Sequence, residues 1–193
     1  MDNLPVDQRW CLIHATHAEG ADLHAVAEVG AVIGLCPTTE ANLGDGMFDL
    51  PIFVDAGGIV GIGSDSNITI DPFAELRLLE YGQRLRLRRR NILGGHSGTA
   101  LWRMAADGGA RALGQKVGAL AEGFRADLLA IAPSLETEVG TPDVWLDSAI
   151  FAALDSPVRD VMVAGRWVVQ NGHHSEEAAI NESYGKALSG LRL

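Results

Sequence analysis

Short apolar runs alternate with segments of helical periodicity along the first part of the chain. Trp10-Cys11-Leu12-Ile13 is a continuous run of large apolar side chains and predicts a strand buried on both faces. From 20 to 29, the spacing of Leu23, Val26, Ala27 and Val29 predicts a helix with one apolar side. Ala31-Val32-Ile33-Gly34-Leu35 reads as a second buried strand. Pro37 stops it, and a loop rich in Thr, Asn, Gly and Asp runs on to Gly46. A short amphipathic segment leads to a third strand over 58–63, ending at Ser64-Asp65-Ser66-Asn67. Phe73, Leu76, Leu79 and Leu85 recur at helical spacing, so a helix is expected from Pro72 to about Arg90. Asp71 is its N-cap, with proline in the first turn. A further helix is expected from about Gly98 to Leu113, closed by Gly114.

Strand and helix alternating in this way form a parallel sheet with crossover helices, an α/β fold. Three such units make neither a closed barrel nor a complete doubly wound sheet, and residue 10 already lies in a core strand. The tail differs. Residues 126–131 read as a strand, and 158–170 hold two more around the turn Ala164-Gly165-Arg166. A polar helix follows from about Ser175 to Leu188. The change of architecture falls near 118–123.

Composition narrows the partners. The chain has 193 residues, 47% of them hydrophobic, enough for one core with a small appendage. Its formal charge of −10 weighs against nucleic acid or an anionic membrane surface as partner. Cys11 and Cys36 both lie in apolar runs, as buried free thiols do. That usage, an N-terminus without the pattern of a signal peptide and no apolar run of membrane-spanning length predict a cytoplasmic, soluble protein. The basic run Arg84 to Arg90 reads as a solvated helix face rather than an anion site.

Two polar residues close predicted parallel strands on the same end of the sheet. His14 follows the first strand, where barrel enzymes carry catalytic groups; the alternative is a core histidine bonded to a backbone carbonyl. Asp65 follows the third strand, with Gly61 and Gly63 allowing close approach; the alternative is a turn cap. Together they can hold a metal and move a proton. His17 is a second ligand or a supporting group, His24 a surface residue, and His173 and His174 an exposed pair in a turn. Two ligands are too few for a catalytic zinc, and the chain has no His-x-His and no His-x-x-Glu. It has no phosphate-binding Gly-rich loop and no Gly-x-Ser-x-Gly, and neither cysteine sits in a nucleophile motif.

Several of these stretches, in this order, resemble the amidohydrolase superfamily. Leu12-Ile13-His14-Ala15-Thr16-His17 is similar to the sixth barrel strand, Gly34 to Gly46 to the seventh strand with its loop, and Gly61-Ile62-Gly63-Ser64-Asp65 to the eighth. Residues 118–128 resemble the return into the superfamily's small β-sandwich, and 161–169 its closing hairpin. Residues 36–46, 63–67 and 79–85, with Arg88 to Asn91, most resemble the formimidoylglutamate deiminases. The resemblance implies the C-terminal part of a TIM-barrel (β/α)8 metal-dependent hydrolase over 1–117, strands six to eight, and part of the β-sandwich with a terminal helix over 118–193.

It also implies the chemistry. Asp65 matches the aspartate that binds a single zinc and shuttles the proton of the attacking water, and His14 the histidine that orients that water. The substrate would be the small molecule N-formimidoyl-L-glutamate, hydrolysed at its formimino C–N bond in histidine degradation. The remaining zinc ligands belong upstream of these segments, so the chain by itself is expected to be inactive, and the full-length protein to be a homo-oligomer. Two other readings stay open: a guanine- or chlorotriazine-type amidohydrolase, and a non-catalytic remnant that associates with a partner.

Overall fold

The computed structural model describes residues 4–66, 69–132 and 140–191. Its first compact unit comprises 4–124 and 140–156 and is built on three parallel strands: β1 (Cys11–Ile13), β2 (Val32–Leu35) and β3 (Ile59–Ile62), in the order β1-β2-β3. The register is even, Cys11 opposite Val32 and Val32 opposite Ile59. β2 lies in the middle, and all four of its residues are buried. β1 is an edge of this sheet, and in this chain its Ile13 is 55% exposed where the sequence reads as a strand buried on both faces.

Helix α1 (Gly20–Glu28) joins β1 to β2 and buries Leu23 and Val26. Between β2 and β3 stand α2 (Pro37–Leu43) and α3 (Leu50–Asp55). α2 replaces the expected loop. Proline, which cannot continue the ladder of a strand, is at home in the first turn of a helix. Gly44, at φ 72°, closes α2 in the left-handed conformation that glycine adopts without penalty. After β3 come α4 (Pro72–Leu87) and α5 (Ser97–Leu113). The Asp71 side chain accepts the Phe73 amide at 2.9 Å, as its place before a proline leads one to expect.

α5 packs against β3 through glycine. A Cβ on Gly108 would overlap the carbonyl oxygen of Val60, so helix and strand approach as backbone to backbone. The core gathers Leu23, Ile33, Leu35, Phe53, Phe73, Leu76 and Leu101, each at most 1% exposed. Phe73 stacks on Trp102 with centroids 5.1 Å apart.

β4 (Leu128–Ile131) precedes α6 (Pro142–Phe151) in the chain, yet α6 belongs to the first unit, where it packs on α4 and α5. The sequence reading contains no helix there and groups 118–193 together. Ile150 is fully buried, and the Arg77 guanidinium donates to the Ile150 and Ala153 carbonyls.

The second unit, 125–132 with 157–191, is an antiparallel sheet in the order β4-β5-β6-β7, with β5 (Val158–Val163), β6 (Arg166–Gln170) and β7 (His173–His174). β5 and β6 form the expected hairpin around Ala164 and Gly165. α7 (Glu177–Gly190) closes the chain and buries none of its residues. Among the described residues no helix is long and apolar enough to cross a membrane.

Candidate functional site

In a parallel sheet the strands end together, so residues just past β1, β2 and β3 share one rim. Neighbouring strands lie about 4.8 Å apart, which leaves β1 and β3 nearly 10 Å apart across β2. His14 follows β1 at φ 66° and Asp65 follows β3 at φ 45°, both in the left-handed region. Asp and His tolerate it better than most residues, and such conformations cluster at functional sites. Both side chains reach over the end of β2 until His14 Nε2 stands 3.5 Å from Asp65 Oδ2. Cys36, the first residue past β2, is buried beside them. One donor atom each from His14, Cys36 and Asp65 fall within 4.8 Å of one another. The two residues singled out in the sequence are thus brought together.

The first turn of α2 organises this rim. Thr39 Oγ1 donates to the Ser64 carbonyl at 3.1 Å, lies 3.0 Å from Ser66 Oγ and accepts the Ser66 amide, which anchors the turn carrying Asp65. Glu40, 4% exposed, accepts the Cys36 amide at 2.8 Å and lies 3.1 Å from His14 Nδ1. Thr38 is held from α4 by Glu75, which is also buried. Burial, above all, and then the negative charges of Glu40, Asp65 and Glu75 push the Cys36 thiol up to about 11. Both influences work against formation of the reactive thiolate.

The other candidates stay outside. His17 and His24 are exposed, the first in the turn after β1 and the second on α1. His173 and His174 are exposed, and His173 Nδ1 lies 3.1 Å from Glu177 Oε2. Cys11 is part-exposed rather than buried. Asn67 lies outside the described residues. In the basic run, Arg84 pairs with Glu80 and Arg86 with Asp49, so both engage carboxylates. Sequence reasoning passes over Cys36, Thr38, Thr39 and Glu40 as site residues. The available signal was the pair Pro37 and Gly44, which frames a two-turn helix and puts all of Thr38, Thr39 and Glu40 at its start.

His14 and Asp65 offer donor atoms of the kinds that a metal takes. Zinc takes imidazole nitrogen, carboxylate oxygen or thiolate sulfur at about 2.0–2.3 Å, which spaces two donors of one tetrahedral ion by roughly 3.3–3.8 Å. The distance of 3.5 Å between His14 Nε2 and Asp65 Oδ2 falls in that range.

A sequence model described as the Amidohydrolase family matches residues 3–168. The chain belongs to the amidohydrolase family. It is similar to the formimidoylglutamate deiminase of Pseudomonas aeruginosa, 50% identical over 197 residues that make up 98% of this chain and 43% of that protein. It is also similar to the 5-methylthioadenosine/S-adenosylhomocysteine deaminase of Pyrococcus abyssi, 30% identical over 85% of this chain and 38% of that one. Among solved structures, an amidohydrolase from Brucella melitensis matches all of the chain with 43% of its own, at TM-score 0.93 and 42% identity. An adenosine deaminase from Xanthomonas campestris, crystallised with bound zinc, matches 96% of the chain with 44% of its own, at TM-score 0.80 and 25% identity. This amidohydrolase chain therefore spans about two-fifths of the length of the relatives it matches.

Proposed function

We propose that this amidohydrolase chain carries barrel strands six to eight of a zinc-dependent deiminase that hydrolyses N-formimidoyl-L-glutamate to N-formyl-L-glutamate and ammonia. The observation that carries the reading is the convergence of His14 and Asp65, 3.5 Å apart over the end of β2. The identity of 50% to a formimidoylglutamate deiminase supports the choice of substrate over those of the more distant purine-nucleoside and triazine enzymes.

Asp65 is the residue of this chain that would hold the zinc, beside His14. Bound zinc supplies Lewis acidity, which brings deprotonation of water within reach of neutral pH. Asp65 accepts the proton of the attacking water and delivers it to the departing nitrogen. His14 orients that water and stabilises charge at the formimino carbon. Water adds to that carbon, the C–N bond breaks, and nitrogen leaves as ammonia. Such a positioned proton transfer contributes roughly 10² to 10⁴ in rate. A barrel rim needs further ligands to fix one ion, and these are assigned to the remaining length of the protein, which is cytoplasmic and a homo-oligomer in this reading.

The test expresses the gene at the length of the relatives, upstream flank included, and measures zinc content and ammonia release. Turnover of formimidoylglutamate, lost together with zinc in Asp65→Asn, is the expected result. Turnover of methylthioadenosine or a chlorotriazine in its place would sink the substrate assignment. A stop codon directly upstream, or turnover by the 193-residue chain alone, would sink the division of the site.

A further inference from the structure

His14 and Ala15 both adopt left-handed backbone conformations, at φ 66° and 48°. Residues with a Cβ persist there only where their surroundings hold them. The backbone share is visible: the His14 amide donates to the Gly34 carbonyl at 2.7 Å and extends the β1–β2 ladder by one bond. The side-chain share falls to Glu40. Its Oε1 stands 3.1 Å from His14 Nδ1, and the same oxygen accepts the Cys36 amide at 2.8 Å. The second bond fixes that oxygen over the end of β2, and with Glu40 only 4% exposed the carboxylate has little room to turn.

A carboxylate has acceptor sites only, so a hydrogen bond at this place requires the proton on Nδ1. Imidazole nitrogens are distinct, and the partner of one decides the state of the other. We propose that Glu40 is a positioning residue that holds His14 as its Nδ1–H tautomer and turns Nε2 toward the space beside Asp65. Nε2 then presents a lone pair 3.5 Å from a carboxylate oxygen. Two acceptors facing each other call for a donor between or beside them, such as a water molecule to be oriented. The inference rests on the reading of His14 and Asp65 as the reacting pair, but it concerns a proton position measurable with neither metal nor substrate.

The experiment is a long-range ¹H–¹⁵N correlation spectrum of the histidine rings in the ¹⁵N-labelled 193-residue chain, at a pH of about 8.5 where ordinary imidazoles are neutral. His14→Gln identifies the His14 signals, and exposed His24 serves as an internal reference. The wild type is expected to show the Nδ1–H pattern at His14. Glu40→Ala is expected to lose it in favour of the Nε2–H form that dominates free imidazole side chains, while His24 stays unchanged. A wild type that carries Nε2–H or is protonated on both ring nitrogens, or an unaltered His14 pattern in folded Glu40→Ala, would overturn the proposal. If Glu40→Ala does not fold, Glu40→Met decides: it keeps the bulk and offers His14 no oxygen, so loss of the Nδ1–H pattern supports the proposal and an unchanged pattern overturns it. A merely structural Glu40 would alter stability without altering the tautomer of the folded chain. Nδ1–H at His14 alongside no turnover of formimidoylglutamate by the longer protein would leave this assignment standing and overturn the substrate reading.

Discussion

Glu75 takes both polar groups of Thr38: the Thr38 amide donates to one carboxylate oxygen at 2.9 Å, and the Thr38 hydroxyl to the other at 2.5 Å. One side chain of α4 thus clamps the first turn of α2, whose next two residues touch the Asp65 turn and His14. Burial pushes the Glu75 carboxyl up, and the two Thr38 bonds work against it. Glu75→Leu keeps the apolar bulk and leaves the Thr38 amide without its acceptor. A loss of about 1–3 kcal/mol is expected. Urea midpoints of the two proteins measure it, and equal midpoints would mean that water takes over the bond.

Arg84 stands against two aromatic rings that stack on each other, 5.3 Å from the Tyr81 centroid and 4.9 Å from that of Phe151. From there its Nε donates at 2.8 Å to Glu80, which is fully buried and also accepts the Ile92 amide. The other oxygen of Glu80 has no hydrogen-bond partner among the described residues. Arg84→Met therefore strands a buried carboxylate. The usual cost is about 3–5 kcal/mol, and the partial exposure of Arg84 places this case at the low end. The double variant Glu80→Leu/Arg84→Met should recover much of the loss. A double-mutant cycle by chemical denaturation reads the coupling directly.

Adjacent glycines of α5 should respond in opposite directions. A Cβ on Gly108 meets the backbone of Val60 and Gly61, whereas one on Gly109 meets nothing within 4 Å. Gly108→Ala must push α5 off β3 and is expected to cost about 3 kcal/mol or more, since strand backbone cannot step aside as a side chain can. Gly109→Ala should gain about 0.5–1 kcal/mol from helix propensity alone. Thermal melts of the pair suffice. Similar shifts for both would show that α5 does not approach β3 as described.

His96 should make stability depend on pH. Its Nδ1 lies 2.8 Å from Asp147 Oδ2, joining the start of α5 to α6, while Asp147 Oδ1 accepts the Gly98 amide at 2.6 Å. The bond to Asp147, with lesser help from the charges of Asp147 and Asp143, raises the His96 pKa in the folded state. A raised imidazole pKa stabilises the fold fully below its unfolded value of about 6.5. That stabilisation disappears as pH rises through the folded value. Urea midpoints should therefore fall from mildly acidic to mildly alkaline pH, and His96→Asn should flatten this part of the profile. A slope that survives the substitution would assign it to other groups.

Much of the first unit was legible in the sequence, because runs, periods and caps act over a few residues. Asp71 before Pro72 and Gly114 after Leu113 mark helix ends in any tertiary setting, and both hold. Pro37 was ambiguous, since it ends a strand as well as it starts a helix, and with α2 misread as loop the role of Glu40 was hidden. α6 escaped because its burial depends on α4 and α5, which the chain presents far from it in sequence.

The sequence by itself determined every described strand but β7, whose His173 and His174 read as a turn, together with most of the helices, the two strand-end residues His14 and Asp65 and the family they resemble, since each is written in a short contiguous stretch. Tertiary structure alone decided that β2 is the central strand, buried at all four residues between β1 and β3. It alone decided that residues 51 positions apart meet over the end of β2 with a buried carboxylate behind one of them. The physical reason is that hydrogen-bond partners and burial are properties of three-dimensional neighbours, which no local pattern of apolar and polar positions records.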